Sequence, residues 1–102
     1  MAQFKHPNVL PIIGVVSVTR QFLIVTPFCE HGTLLFFLSQ RFKFTALPLI
    51  SRLKICADVA AGVAYLRECS FIHRDLASRN VLVNSGFQFQ ISDFGMSRKV
   101  RG

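Results

Sequence analysis

The segment from Leu47 to Arg67 carries the longest helical pattern in the chain, and its second half is nearly bare of side chains. Leu49, Leu53, Cys56, Ala60 and Val63 follow the three-to-four step of an amphipathic helix, and Ile55, Val59 and Leu66 widen that stripe. The polar face, made of Ser51, Arg52, Lys54 and Asp58, is narrow. Ala60, Ala61, Gly62 and Ala64 leave the C-terminal turns thin. A thin helix face lets a large neighbour approach closely, and the remaining chain has little that would fill that role completely. The expectation is a helix with an apolar face that this chain covers only in part.

Composition sharpens the point. The chain has 102 residues, 51% of them hydrophobic and 17% charged, with eleven Phe. A single domain of this length buries only about 60–70% of the surface its unfolded chain exposes. So much apolar material therefore leaves large patches in water, as in a piece cut from inside a larger domain. The net charge of +7 raises the question of nucleic acid or a membrane surface. The basic residues are scattered from Lys5 to Arg101, and no basic helix face is interleaved with aromatics. No nucleic-acid partner is expected. Cys29, Cys56 and Cys69 match no metal-ligand spacing and read as free thiols of a reducing compartment. The N-terminus does not resemble a signal peptide. The apolar run Phe22 to Phe28 is too short to span a bilayer, and reads as a buried strand.

Around the long helix the pattern predicts mixed structure. Met1 to Lys5 reads as a helix tail ended by His6-Pro7-Asn8. Ile12 to Val18 and Phe22 to Thr26 read as an antiparallel pair joined by Thr19-Arg20-Gln21. Pro27 ends the second strand, and Pro27 to Gly32 is a linker. Thr33 to Gln40 reads as a short helix with Thr33 as its N-cap. His73 to Asn80 reads as a loop, followed by strands Val81 to Asn84 and Phe87 to Ile91 about a Ser85-Gly86 turn. The fold class is α+β.

The chain holds five carboxylates, and Asp75 and Asp93 bracket the predicted ribbon with Asn80 between them. The strand pattern gathers all three at one end of that ribbon. A carboxylate that accepts a proton, together with hard oxygen ligands for Mg²⁺, is what metal-assisted phosphoryl transfer requires. Each residue also has an ordinary reading. Asp75 and Asn80 suit turns, His73 suits packing, and Cys29, followed by Glu30 with no cation before it, suits an unreactive thiol.

The run Phe71-Ile72-His73-Arg74-Asp75-Leu76-Ala77-Ser78-Arg79-Asn80-Val81-Leu82-Val83 closely resembles the catalytic loop of protein kinases, and Ile91-Ser92-Asp93-Phe94-Gly95 their Mg²⁺ loop. Both motifs stand in order behind Ala-Asp-Val-Ala-Ala-Gly-Val-Ala-Tyr-Leu, and the resemblance covers essentially the whole chain. Ala77 and Arg79, where serine/threonine kinases place a Lys two residues after the Asp, resemble the tyrosine kinase loop. The resemblance implies a fragment of the two-lobed kinase fold: the end of helix C, strands 4 and 5, the hinge, helices D and E, the catalytic loop, and strands 7 and 8. It divides the chain into a small-lobe remnant at 1–26, a hinge at 27–32 and the start of the large lobe at 33–102.

Roles follow by position from the resemblance. Asp75 is implied as catalytic base, Arg79 as its neighbouring guanidinium, and Asn80 and Asp93 as Mg²⁺ ligands. Arg74 would pair with an activation-loop phosphate. Thr26 matches the gatekeeper, and Pro27, Phe28 and Cys29 match the hinge that holds adenine. Leu82 matches the floor beneath the adenine ring. Phe36 stands where the family often has a polar residue near the ribose. Met1, Ile12, His73 and Phe94 match an apolar stack across the lobes. The implied cofactors are ATP and Mg²⁺, and the implied partner is a protein substrate with a tyrosine. The chain has no Gly-x-Gly-x-x-Gly loop, and the phosphate-gripping Lys and its Glu would fall before Met1. The isolated chain is therefore expected to be inactive. The expected location is cytoplasmic, at a membrane only if an upstream part carries a transmembrane span.

Overall fold

The computed structural model describes residues 4–43, 45–73 and 75–92, together with the backbone of Arg98–Lys99. In chain order the elements are β1 (Gly14–Val18), β2 (Gln21–Val25), α1 (Leu34–Arg41), α2 (Leu49–Glu68), β3 (Phe71–Ile72), β4 (Val81–Val83), β5 (Phe89–Ile91) and β6 (Arg98–Lys99). A single 3₁₀ turn, Ser78–Asn80, precedes β4. The expected α+β mixture is what forms.

The N-terminal tail differs from expectation where it is described: Phe4 and Lys5 are not helical. β1 and β2 form the expected antiparallel hairpin, with Val18 opposite Gln21. The linking turn is only Thr19-Arg20, and both have positive φ, 25° and 69°. Positive φ at both central residues gives a turn whose twist matches that of the strands, so Gln21 joins the ladder. The run Phe22 to Val25 is a strand but not a buried one. Phe22 is 75% exposed and Ile24 60% exposed, and Leu23 and Val25 on the other face are exposed too.

Thr33 caps α1 as expected: its extended backbone lets Oγ1 accept from the Phe36 N–H at 3.1 Å. α2 starts two residues later than the periodicity suggests. Pro48 occupies the N-cap position, and the residue before a proline is kept out of the helical region. The buried face of α2 is also a correction. Leu49, Leu53, Cys56, Ala60 and Val63 all point to water. The inward line is Asp58, Gly62 and Leu66, flanked by half-buried Ile55 and Val59.

Two observations explain that rotation. Asp58, read as polar surface, accepts the backbone N–H of Phe89 at 3.1 Å and pairs with Lys54 at 2.7 Å. Gly62 supplies the close approach: a Cβ there would lie 2.6 Å from the Asn8 carbonyl oxygen and 2.8 Å from Ile91 Cδ1. Residues 8–10 thus do part of the covering that the thin helix requires. They run parallel to β5, with Ile91 N–H donating to Asn8 O and Leu10 N–H to Ile91 O, each 2.9 Å. Asn8 also donates from Nδ2 to Phe89 O at 3.1 Å.

β4 and β5 pair antiparallel, Val81 with Ile91 and Val83 with Phe89, and are shorter than expected because Asn84 to Gln88 all belong to the turn. Asn84 Oδ1 accepts from both Gly86 and Gln88 N–H. One core cluster joins Leu34, Phe37, Val81, Val83 and Phe89, and a second joins Val9, Leu66 and Ile91. An unanticipated pairing ties β3 to β6, Phe71 with Lys99 and Ile72 with Arg98. Among the described residues no helix is long and apolar enough to cross a membrane.

Candidate functional site

The loop from His73 to Asn80 is tied together by its own polar groups. Arg79 Nη2 donates to Asp75 Oδ1 at 2.6 Å. Asn80 Nδ2 donates to the Asp75 carbonyl at 2.7 Å and to Asp75 Oδ2 at 3.1 Å. Both oxygens of the carboxylate are therefore held, one from each side. Each carboxylate oxygen has a second lone pair, so Asp75 keeps capacity to accept another proton donor. Asp75 is half-buried and Arg79 exposed, so the ion pair orients the carboxylate more than it stabilises the fold.

The loop is anchored from below by His73 and Ser92. His73 is buried and donates from Nε2 to the Ser92 carbonyl at 2.6 Å, while Nδ1 accepts the Asp75 N–H at 3.1 Å. A carbonyl can only accept, so the two contacts assign the Nε2–H tautomer. Ser92 in turn donates its N–H and its hydroxyl to the Asn80 carbonyl, at 2.8 and 2.9 Å. Asp75, Arg79, Asn80, His73 and Ser92 thus form one connected unit. Asp93, expected as a second metal ligand, lies outside the described residues, as do Arg74, Met1 and Phe94 of the other expected roles.

Asn80 is 5% exposed as a whole residue; its Nδ2 faces Asp75, and no hydrogen bond to its Oδ1 is found among the described residues. An open amide oxygen next to a fixed carboxylate is the donor chemistry that a hard cation takes. No cluster of three His, Cys, Asp or Glu exists among the described residues.

The residues expected as the hinge run from half-buried Thr26 and Pro27 through exposed Phe28 to buried Cys29. The Cys29 carbonyl accepts the Gly32 N–H at 3.0 Å, a turn that Gly32 closes with φ +71°. The Cys29 N–H and the Pro27 carbonyl have no partner among the described residues. One backbone donor and one backbone acceptor are thus left two residues apart. Burial pushes the Cys29 thiol pKa above its ordinary 9.0, and Sγ contacts Gln90 Oε1 at 3.7 Å. The structure agrees with the expectation of an unreactive thiol. Leu82 lies half-buried in β4, opposite Gln90. His31 N–H donates to Val83 O, and Val83 N–H to Gly32 O, so residues 31–32 lie along the strand that carries Leu82.

Sequence reasoning missed Ser92 and Gln90. Gln90 is buried and bridges Cys29 to the Pro7 carbonyl, to which Nε2 donates at 3.2 Å. The available signal was period two: Gln90 and Ser92 flank Ile91 on the strand face that meets the hinge and the loop.

Comparison with known proteins gives the family. Residues 1–102 match the family of protein tyrosine and serine/threonine kinases. The chain is 48% identical over 99 residues to the ephrin type-B receptor 5 of Gallus gallus. It is 46% identical over 99 residues to the ephrin type-B receptor 1-A of Xenopus laevis and to the ephrin type-B receptor 2 of Coturnix japonica. In each case 96% of this chain is aligned, against 10% of the relative, so the chain spans about a tenth of their length. The loop geometry and the full-length family match agree that this α+β chain belongs to the protein tyrosine and serine/threonine kinase family.

Proposed function

We propose that the chain is a segment of a protein tyrosine kinase domain whose parent transfers the γ-phosphoryl group of ATP to tyrosine hydroxyls. The observation that carries this reading is the Asp75 carboxylate, held at Oδ1 by Arg79 and at Oδ2 by Asn80. A carboxylate so fixed orients a phenol and receives its proton as the new bond forms. With an unperturbed phenol pKa of about 10, a carboxylate does not remove that proton beforehand. Arg79, four residues after Asp75, supports the tyrosine-specific reading, since its guanidinium keeps the carboxylate in place from the solvent side.

Asn80 Oδ1 and Asp93 are the proposed Mg²⁺ ligands, and Cys29 N–H, Pro27 O, Thr26, Phe28 and Leu82 the proposed adenine surroundings. Bound Mg²⁺ supplies charge that offsets the phosphate oxygens. The segment divides into a small-lobe remnant at 1–26, a hinge at 27–32 and the start of the large lobe at 33–102. The site faces the cytoplasm, whether or not the parent carries a membrane span. The isolated chain is proposed to be inactive, because the glycine-rich loop, the Lys and its Glu partner are not among its residues.

The test is direct. The 102-residue chain is assayed for Mg·ATP binding and for tyrosine phosphorylation of a peptide. Weak binding lost in Asp93→Asn, with no turnover, supports the reading. Sustained peptide phosphorylation refutes the proposed inactivity. A second reading, a non-catalytic piece that binds partners through apolar surface, is favoured by the exposure of both faces of the β1–β2 hairpin. Specific partner capture with no nucleotide affinity would select it.

A further inference from the structure

A second site lies at the junction of α1, the start of α2 and the β4–β5 turn, and its lining shares no residue with the Asp75 loop. A groove of about 460 Å³ opens there, floored by Phe37, Phe42, Leu47, Ile55 and Phe89. That volume falls within the roughly 300–1,000 Å³ typical of small-molecule sites. Its rim is cationic. Lys54 is already paired with Asp58, but Arg41 has no carboxylate partner among the described residues.

Arg41 is nonetheless held in place. Its guanidinium lies over the rings of Phe37 and Phe87, 5.3 and 5.2 Å from their centroids. Stacking occupies the flat face of a guanidinium and leaves its N–H edge free for a planar anion. Phe87 itself stands in the left-handed region, φ +56°, which a bulky non-glycine residue rarely adopts. The turn holds it there through Asn84, and its ring stacks on His31 at 4.6 Å and 16°. Backbone strain that fixes a ring beneath a cation at the mouth of an apolar groove motivates a ligand reading.

We propose that this groove binds a small amphiphilic carboxylate, with its apolar body against Phe42, Leu47 and Ile55 and its carboxylate on the edge of Arg41. The assignment is independent of the kinase reading. It is tested on the 102-residue chain with a ten-carbon carboxylic acid bearing a photoreactive diazirine, with adducts assigned to residues by fragmentation. Decanoate and 1-decanol serve as competitors. Adducts are expected at Phe42, Leu47, Ser51 or Phe87. Decanoate should suppress them at about fivefold lower concentration than decanol, as suits a partly exposed ion pair. Arg41→Gln should bring the two competitors to parity, and Ser51→Phe should remove the adducts. Equal competition in the unaltered chain, or adducts spread equally over β1–β2 and the Cys56–Val63 face, would overturn the proposal. Labelling that falls as chain concentration rises at fixed probe would overturn it in favour of a second copy in the groove.

Discussion

Ser92 donates twice to one atom of Asn80: its N–H and its hydroxyl reach the same carbonyl oxygen, at 2.8 and 2.9 Å. The two residues are twelve apart in sequence and are both buried. The last residue before Asp93 is thereby fixed to the loop that carries Asp75. Ser92→Ala keeps the backbone bond and removes the other. The carbonyl stays satisfied, so the expected loss is about 1 kcal/mol, read as a lower urea midpoint with unchanged slope. A loss below the error of the measurement would show that the hydroxyl bond is dispensable.

Gly62 sits where α2 meets residues 8–9 and β5. In Gly62→Ala the new methyl would lie 2.6 Å from the Asn8 backbone oxygen and 2.8 Å from Ile91 Cδ1. The Ile91 side chain can shift, but Asn8 O cannot, because it accepts the Ile91 N–H. Helix propensity favours the alanine by about 1 kcal/mol. Overpacking costs about 1–3 kcal/mol. The clash is against backbone, so the net effect is expected to be destabilising, by about 1–2 kcal/mol in urea unfolding. A stabilised variant would show that the 8–10 segment does not dock on α2.

These two sites also mark what was legible in the sequence. The Thr33 cap, the β1–β2 hairpin and the β4–β5 ribbon are local, and local rules find them. The Asp75–Arg79–Asn80 unit spans six residues and is legible for the same reason. The buried face of α2 is not local. Both sides of that helix are apolar, and the choice between them rests on Gly62 and Asp58, whose contacts with Asn8, Ile91 and Phe89 are far apart in sequence. The β3–β6 pair escapes for a related reason: two-residue strands leave no periodic trace.

Asp58 offers a test of that choice. Asp58→Ala would strand the buried Phe89 N–H, at an expected cost of about 1–3 kcal/mol. Asp58→Asn keeps an acceptor and should cost less than half as much. The Lys54 partner is half in water, so Lys54→Ala should cost under about 0.5 kcal/mol. Thermal or urea unfolding of the three variants gives the ranking. If Lys54→Ala equals Asp58→Ala, the ion pair rather than the backbone bond is what matters.

Cys29 and Cys56 should differ in alkylation. Cys56 is exposed, whereas burial raises the pKa of Cys29 above 9.0. Fewer thiolates at a given pH mean slower reaction, since the thiolate is the nucleophile. Iodoacetamide at pH 8 should modify Cys56 first, and Cys29 only on unfolding. The linkage sign follows. The folded state favours the neutral thiol, so its contribution to stability is complete below the unfolded pKa and declines as pH rises through 9.0. Equal labelling rates in the folded chain would contradict the buried placement of Cys29.

Asp75 and Asp93 are proposed to do different work, and substitution should separate them. The chain can replace the matching segment of the ephrin type-B receptor 5 of Gallus gallus, to which it aligns over 99 residues. In that chimera Asp75→Asn keeps the shape of the loop, because an amide oxygen can still accept from Arg79 or Asn80. It removes the group proposed to receive the proton. The expected result is a fall in kcat of about 10²–10⁴-fold with Mg·ATP affinity unchanged, the range for a lost general base. Asp93→Asn should instead weaken Mg·ATP binding directly, in equilibrium titration as well as in turnover. Arg79→Lys should lie between the two, because a point charge cannot reproduce a planar guanidinium at 2.6 Å from Oδ1. If Asp75→Asn and Asp93→Asn weaken nucleotide binding alike, the division of the site into a base and a metal ligand is wrong.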